Sequence, residues 1–345
     1  MRLGLTSADW GADFQPPSRT QSPAWVNFSV FGGCLRSELE IPGLSHADGS
    51  PPTWTFARGE VRLPADARRI GRGPDLPCEI ELFADGERYW LKHSCTGTYR
   101  ISRSGREIIF EQQGVPPSDA ICADLTGRVL AIAMHAMGWA TLHASAVAFR
   151  DGAVALLAPK HHGKSTLAIA LTQAGGRLVT DDMLPVVAGA RPIVHPGIQR
   201  ARLNSDSRER LIADDCERGI DGKHVVGGIP AERLLSIEAP LAALYFLKPV
   251  TALPDDAVVR RTRISTTACA IGLVRHAKIG YLLGGSEAPV VFDRASGIAR
   301  SVPAFELEVV RELSRVDEAA ELIAGWHGGA AAGEDSTSLS RATSD

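Results

Sequence analysis

One stretch constrains this chain more than any other: LLAPKHHGKSTLA, residues 156–168. An apolar run with the pattern of a buried strand passes through a short loop into Gly163-Lys164-Ser165-Thr166. That tetrapeptide opens KSTLAIALTQA, which is helical in pattern and stops at Gly175-Gly176. A strand that feeds a helix in this way belongs to a sheet flanked by helices, so the fold around it is α/β.

The loop has the register of a phosphate-binding loop, G-x-x-x-x-G-K-[ST], between a strand and a helix. Ala158 takes the first glycine position, Pro159, Lys160, His161 and His162 fill the middle, and Gly163, Lys164, Ser165 and Thr166 close it. Backbone N–H groups and the helix dipole would face the phosphates. Lys164 would reach the β- and γ-phosphates, and the Ser165 hydroxyl would ligate Mg²⁺. His161 stands where many loops have another glycine, and histidine tolerates a positive φ better than a branched residue does. Binding by backbone donors lets the side chains vary, so we read a working but variant loop. Lys160, His161 and His162 add cationic donors beside a polyphosphate.

Such a loop needs an acidic partner. GGRLVTDD supplies Asp181-Asp182 at the end of an apolar strand, one short helix after the loop. Carboxylates there can meet both Mg²⁺ and an acceptor hydroxyl.

The rest of the chain sets limits. A net charge of −3 over 345 residues gives no basic excess for nucleic acid. The N-terminus lacks a continuous apolar run and meets Asp9 early, unlike a signal peptide. The uncharged stretch between Arg128 and Arg150 is long enough to span a bilayer, but His135, Gly138, Thr141, His143 and Ser145 interrupt it. A buried helix followed by a strand accounts for it better. Six scattered cysteines without a CxxC pair read as free thiols in a reducing cytoplasm.

Residues 1–24 read as irregular and 25–117 as a small antiparallel β-rich region, with hairpin turns at Asp85-Gly86 and Ser104-Gly105. After Pro116-Pro117, Ser118 can cap a helix that opens the α/β region, 118–326. The Gly-, Ala- and Ser-rich tail, 327–345, reads as disordered.

LHASAV (residues 142–147), GKSTLAIAL and GGRLVTDD, in this order and spacing, resemble the catalytic domain of the HPr kinase/phosphorylase superfamily. They look most like the HPr-kinase-related proteins of bacterial peptide biosynthesis clusters, including lasso peptide tailoring kinases. The resemblance spans roughly residues 119–326 and is firmest over 142–186. It implies an α/β core of the HPr kinase C-terminal or PEP carboxykinase type, a homo-oligomer by analogy, and Mg²⁺- and ATP-dependent phosphorylation of a serine on a protein or peptide.

The resemblance makes His143, Asp181 and Asp182 the catalytic group. One aspartate is the base toward the acceptor and one the metal ligand, Asp182 being paired here with Ser165 as the metal set. The family's second glycine-rich segment is missing. In its region DGKHVVGG offers Lys223 as a nucleotide contact, and the departure weighs against HPr itself as acceptor and against phosphorolysis. Two other readings stay open: a nucleotide-binding switch that transfers nothing, and a small-molecule hydroxyl kinase.

Overall fold

The structure is a computed structural model that describes residues 25–47, 49–75, 78–212, 217–218, 224–226 and 229–328. The expectations for the first 24 residues, for the tail beyond 328 and for Lys223 and Cys216 fall outside the described residues.

The front region is one nine-stranded sheet: β1 (Val26–Val30), β2 (Gly33–Ser37), β3 (Ser45–His46), β4 (Trp54–Arg58), β5 (Arg68–Asp75), β6 (Cys78–Ala84), β7 (Arg88–His93), β8 (Gly97–Ser102) and β9 (Glu107–Gln112). Its order is β3-β1-β2-β4-β9-β8-β7-β6-β5. It is not wholly antiparallel as the hairpin signals suggest, because β4 pairs parallel with both β2 and β9. Long connections, not tight turns, deliver β4 to its place, and they carry no short-range signal. The Asp85-Gly86 turn forms between β6 and β7, where the Asp85 carboxylate accepts from the N–H groups of Glu87 and Arg88 at 2.7 Å each.

Cys78 and Cys95 form a disulfide, which corrects the free-thiol expectation. The β6–β7 register pairs Ile80 with His93, and two residues further out it sets position 78 opposite 95, with Cα atoms 5.7 Å apart. A separation of 17 residues looks scattered along the chain but is cross-strand in a hairpin. Cys34, Cys122 and Cys269 are free.

The helix after Pro117 runs as α1 (Ser118–Asp124), a π-type turn (Leu125–Val129) and α2 (Leu130–Ala136). Ser118 is its first residue and makes no side-chain cap. This helix does not join the α/β core. Leu125, Val129, Leu130, Ile132 and Met134 pack into the same core as Trp54, Ile80, Leu91 and Tyr99 of the front sheet.

The second sheet uses β10 (Ala140–Leu142), β11 (Ala144–Phe149), β12 (Gly152–Leu157), β13 (Arg177–Thr180), β14 (Leu184–Val187), β15 (Ile193–Val194), β19 (Ala239–Val250), β20 (Val259–Arg263) and β21 (Ala304–Val310). A small third sheet holds β16 (Ala201–Leu203), β17 (Glu217–Arg218) and β18 (His224–Val226). Helices α3 (Lys164–Gln173), α5 (Thr266–Arg275), α6 (Ala288–Ser301) and α7 (Val316–Gly325) cover the larger sheet, and α4 (Ser205–Leu211) packs against α3 and β16.

Strands β11 and β12 are buried throughout, and period-two alternation explains why both of their faces are apolar. Val147, Phe149, Val154 and Leu156 face α3 and α7. Ala144, Ala146, Ala153 and Ala155 face α5 and α6, where small side chains let the helices approach. His327, assigned by composition to the tail, is 7% exposed and hydrogen-bonded to the Tyr245 hydroxyl. Among the described residues no helix is long and apolar enough to cross a membrane.

Gly105 at the β8–β9 turn has φ +71°, and a Cβ there would come 2.1 Å from the Ala133 carbonyl of α2. Gly86 has φ +93° with nothing within 4 Å. Gly86→Ala therefore adds backbone strain alone, about 1 kcal/mol, whereas Gly105→Ala adds a backbone clash and costs about 1–3 kcal/mol more. Urea unfolding of the two variants checks this; equal costs would mean that the helix does not rest on the hairpin.

Candidate active site

Topology gathers the site. β11 runs antiparallel to both β12 and β13, pairing Ala144 with Leu157 and Ala146 with Thr180. The start of β11 therefore lies at the same sheet end as the exits of β12 and β13. His143 and Ser145, the loop at 158–163 and the Asp181-Asp182 pair converge there.

The loop keeps its path without its glycines. Among the described residues only five non-glycine positions have positive φ; His161 at 67° is one, and Ala158 is not. Ala158 is 1% exposed and contributes to the core, so its methyl group is accommodated. Gly163, with φ 87°, is the N-cap of α3. Lys164 is 8% exposed and folds back over the loop, donating to the Ala158 carbonyl at 2.7 Å and the Pro159 carbonyl at 3.2 Å. Pro159, Lys160, His161 and His162 are exposed, and His162 Nδ1 lies 3.0 Å from the Lys160 carbonyl. Thr166 turns away from the loop, its hydroxyl 2.9 Å from that of Ser207 on α4.

The two aspartates part company. Thr180 donates its hydroxyl to the Met183 carbonyl at 2.8 Å, closing a turn in which Asp182 takes φ 89°. Asp181, 7% exposed, points inward. Its Oδ1 accepts from the hydroxyls of Ser165, at 2.9 Å, and Ser145, and its Oδ2 accepts from the Arg202 N–H at 3.1 Å. Burial raises the Asp181 pKa above the usual carboxylate value, against the pull of those three donors.

Asp182 is half exposed and faces His143 and Lys278. His143 Nδ1 lies 2.9 Å from its Oδ1 and 3.1 Å from its carbonyl, so Nδ1 carries the proton. Lys278 Nζ is 2.6 Å from Oδ2. Desolvation acts to raise the Asp182 pKa, but the His143 hydrogen bond and the Lys278 charge outweigh it and hold the carboxyl well below its ordinary value.

Ser145, Lys278 and His276 belong to the site but were not singled out from the sequence. Ser145 was findable, since it lies two residues from His143 and shares its side of an extended chain. Lys278, 96 residues beyond Asp182, carries no local signal. His135 lies elsewhere and bonds Glu287 at 2.8 Å.

No family model matches the chain, and no curated protein matches it. Among solved structures, the HPr(Ser) kinase/phosphatase from Coxiella burnetii aligns with 54% of this chain and 95% of its own length, at 14% identity and a TM-score of 0.28. That overlap is too slight to bear on what this chain does.

His276 sits behind His143 and accepts its backbone N–H at 2.7 Å. Burial, then the charges of Lys164, His143 and Arg275, push its pKa down from 6.5 to about 4. The folded state thus binds fewer protons than the unfolded chain between those values. His276 should cost no stability above pH 6.5 and should erode it as pH falls toward about 4. In urea unfolding, His276→Gln should lose less stability than wild type across that window; identical losses would contradict the assignment.

Proposed function

We propose that the chain is an ATP-dependent phosphotransferase that moves the γ-phosphoryl group of ATP to a hydroxyl on a protein or peptide. One observation carries the reading: the Ser165 hydroxyl, at the start of α3, meets the Asp181 carboxylate 2.9 Å away, with Lys164 folded inside the loop. A hydroxyl and a carboxylate are hard oxygen donors of the kind Mg²⁺ takes, with phosphate and water oxygens completing its shell. The donor set fits the metal, and it favours Asp181 over Asp182 as its carboxylate.

In this reading Lys164 exchanges the loop carbonyls for phosphate oxygens, a short move because both lie inside the same loop. The N–H groups of 160–164 hold the phosphates through the backbone, which is why His161 can stand in for glycine. Mg²⁺, when bound, would offset charge on the β- and γ-phosphate oxygens. Asp182, half exposed on the other side of the β13 exit, meets the acceptor. It receives the hydroxyl proton as the new O–P bond forms and the bond from the γ-phosphorus to the β–γ bridging oxygen breaks, releasing ADP, and His143 holds the carboxylate in place. That the acceptor is a serine on a peptide rests on the resemblance in LHASAV, GKSTLAIAL and GGRLVTDD.

A nucleotide-binding switch is the second reading, and one observation favours it: both Asp182 carboxylate oxygens are already engaged, by His143 and Lys278. Mass spectrometry of a synthetic serine-ended peptide incubated with the protein and MgATP separates the two. The phosphotransfer reading expects phosphopeptide from wild type and, from Asp182→Asn, a rate lower by about 10²–10⁴-fold with ATP still bound. Asp181→Asn should weaken binding of MgATP more than binding of metal-free ATP. ATP affinity without any phosphoproduct, on peptide, free serine or sugar, would leave the switch.

A further inference from the structure

The candidate site is anchored in two separate cores. Its loop side belongs to the α/β core, through Ala158, Leu167 and Leu178. Its Asp182 side is shared with the front region. Met183, next to Asp182, and Ile279, next to Lys278, are 4% and 2% exposed and pack into the core of the front sheet. The front region therefore reaches the acceptor side of the site directly, and touches the Asp181 side only through Ile198, whose carbonyl accepts the Asp181 N–H at 3.3 Å.

The segment 276–284 is the connection. At one end it runs beside the His143 stretch: the His143 N–H donates to the His276 carbonyl at 2.7 Å, and the Lys278 N–H donates to the Thr141 carbonyl at 2.8 Å. At the other end it lies on strand β5, where the Gly284 N–H donates to the Ile70 carbonyl at 3.0 Å. Two glycines of β5 make the room. A Cβ at Gly71 would sit 1.9 Å from the Leu282 carbonyl oxygen, and one at Gly73 would sit 2.4 Å from the Tyr281 ring. Neither glycine has a positive φ, so close approach explains both of them. Tyr281 is tied down in turn by Arg128, whose Nε donates to its hydroxyl at 3.2 Å.

Lys278 extends from the His143 end of this segment to Asp182. Its side chain is 17% exposed, against 50% for that of Asp182. A surface ion pair between mobile chains has no need of such a mount. We propose that Lys278 is a positioning residue for the acceptor side of the site, acting through Asp182, and that the front sheet fixes it there through the glycine-lined notch of β5. The inference rests on the phosphotransfer reading above. It adds to that reading a role for the front region, which is to hold the Asp182 carboxylate at one angle toward the acceptor hydroxyl while leaving nucleotide binding to the α/β core.

The test compares Lys278→Ala, Lys278→Arg and Gly71→Ala with Gly127→Ala, a control whose Cβ would meet nothing within 4 Å. Each full-length variant is measured for ATP affinity, for kcat and KM on a synthetic serine-ended peptide, and for hydrogen exchange over residues 276–284. Lys278→Ala and Gly71→Ala should lower kcat about 100-fold while ATP affinity stays within about threefold, since misplacement by about an ångström is enough for such a loss. Lys278→Arg should recover most of the loss, and Gly71→Ala should speed exchange across 276–284. If Gly71→Ala does not fold, Gly73→Ala presses on a ring that can swing and should give the same pattern more weakly.

Unchanged kcat in Lys278→Ala, or unchanged exchange in the glycine variants, would overturn the inference and leave the kinase reading intact. A parallel fall in ATP affinity would also overturn it. A wild-type protein that binds no ATP would remove the phosphotransfer reading and this inference together.

Discussion

The buried carboxylate of Asp181 is the constraint on which the candidate site depends. A carboxylate at 7% exposure is costly unless hydrogen bonds replace its water. Here the replacements come from three elements: Ser145 of β11, Ser165 of α3 and the backbone of Arg202 in β16. The requirement fixes the loop helix against the sheet and sets the register at which β13 leaves it. It also separates the neighbouring aspartates, because the turn that buries Asp181 carries Asp182 through a positive φ to the opposite side. One residue becomes part of a closed polar network and the next is left half exposed.

That separation continues into the packing. The loop rests on the apolar layer between the second sheet and helices α3 and α7. Asp182, through Met183, and Lys278, through Ile279, rest on the front core, to which the helix at 118–136 also belongs. A phosphoryl donor and an acceptor must meet at a fixed distance but bind independently. A site whose two halves are held by two cores, joined at one strand exit, suits that demand.

What was legible in the sequence was local. The strand–loop–helix at 156–173, the strand ending in Asp181-Asp182 and the hairpin turns at Gly86 and Gly105 each announce themselves within a dozen residues. What was hidden was long-range. The run Leu125 to Met134 is apolar on too many sides to say which core it joins, and its position after Pro116-Pro117 points to the α/β region instead. Cys78 and Cys95 look unrelated until the β6–β7 register pairs them. Lys278 reaches Asp182 only because 276–284 is clamped between β5 and the His143 stretch. Thr166, by contrast, was legible in type but not in direction, since its hydroxyl goes to Ser207.

The central claim is that Ser165 and Asp181 form the metal side of a nucleotide site. Calorimetric titration with ATP, in the presence and absence of Mg²⁺, on wild type and Ser165→Ala tests it most directly. The account predicts that Mg²⁺ tightens ATP binding to wild type and that Ser165→Ala loses this gain while still binding the metal-free nucleotide. Equal gains from Mg²⁺ in both proteins, or no ATP binding by wild type, would contradict it.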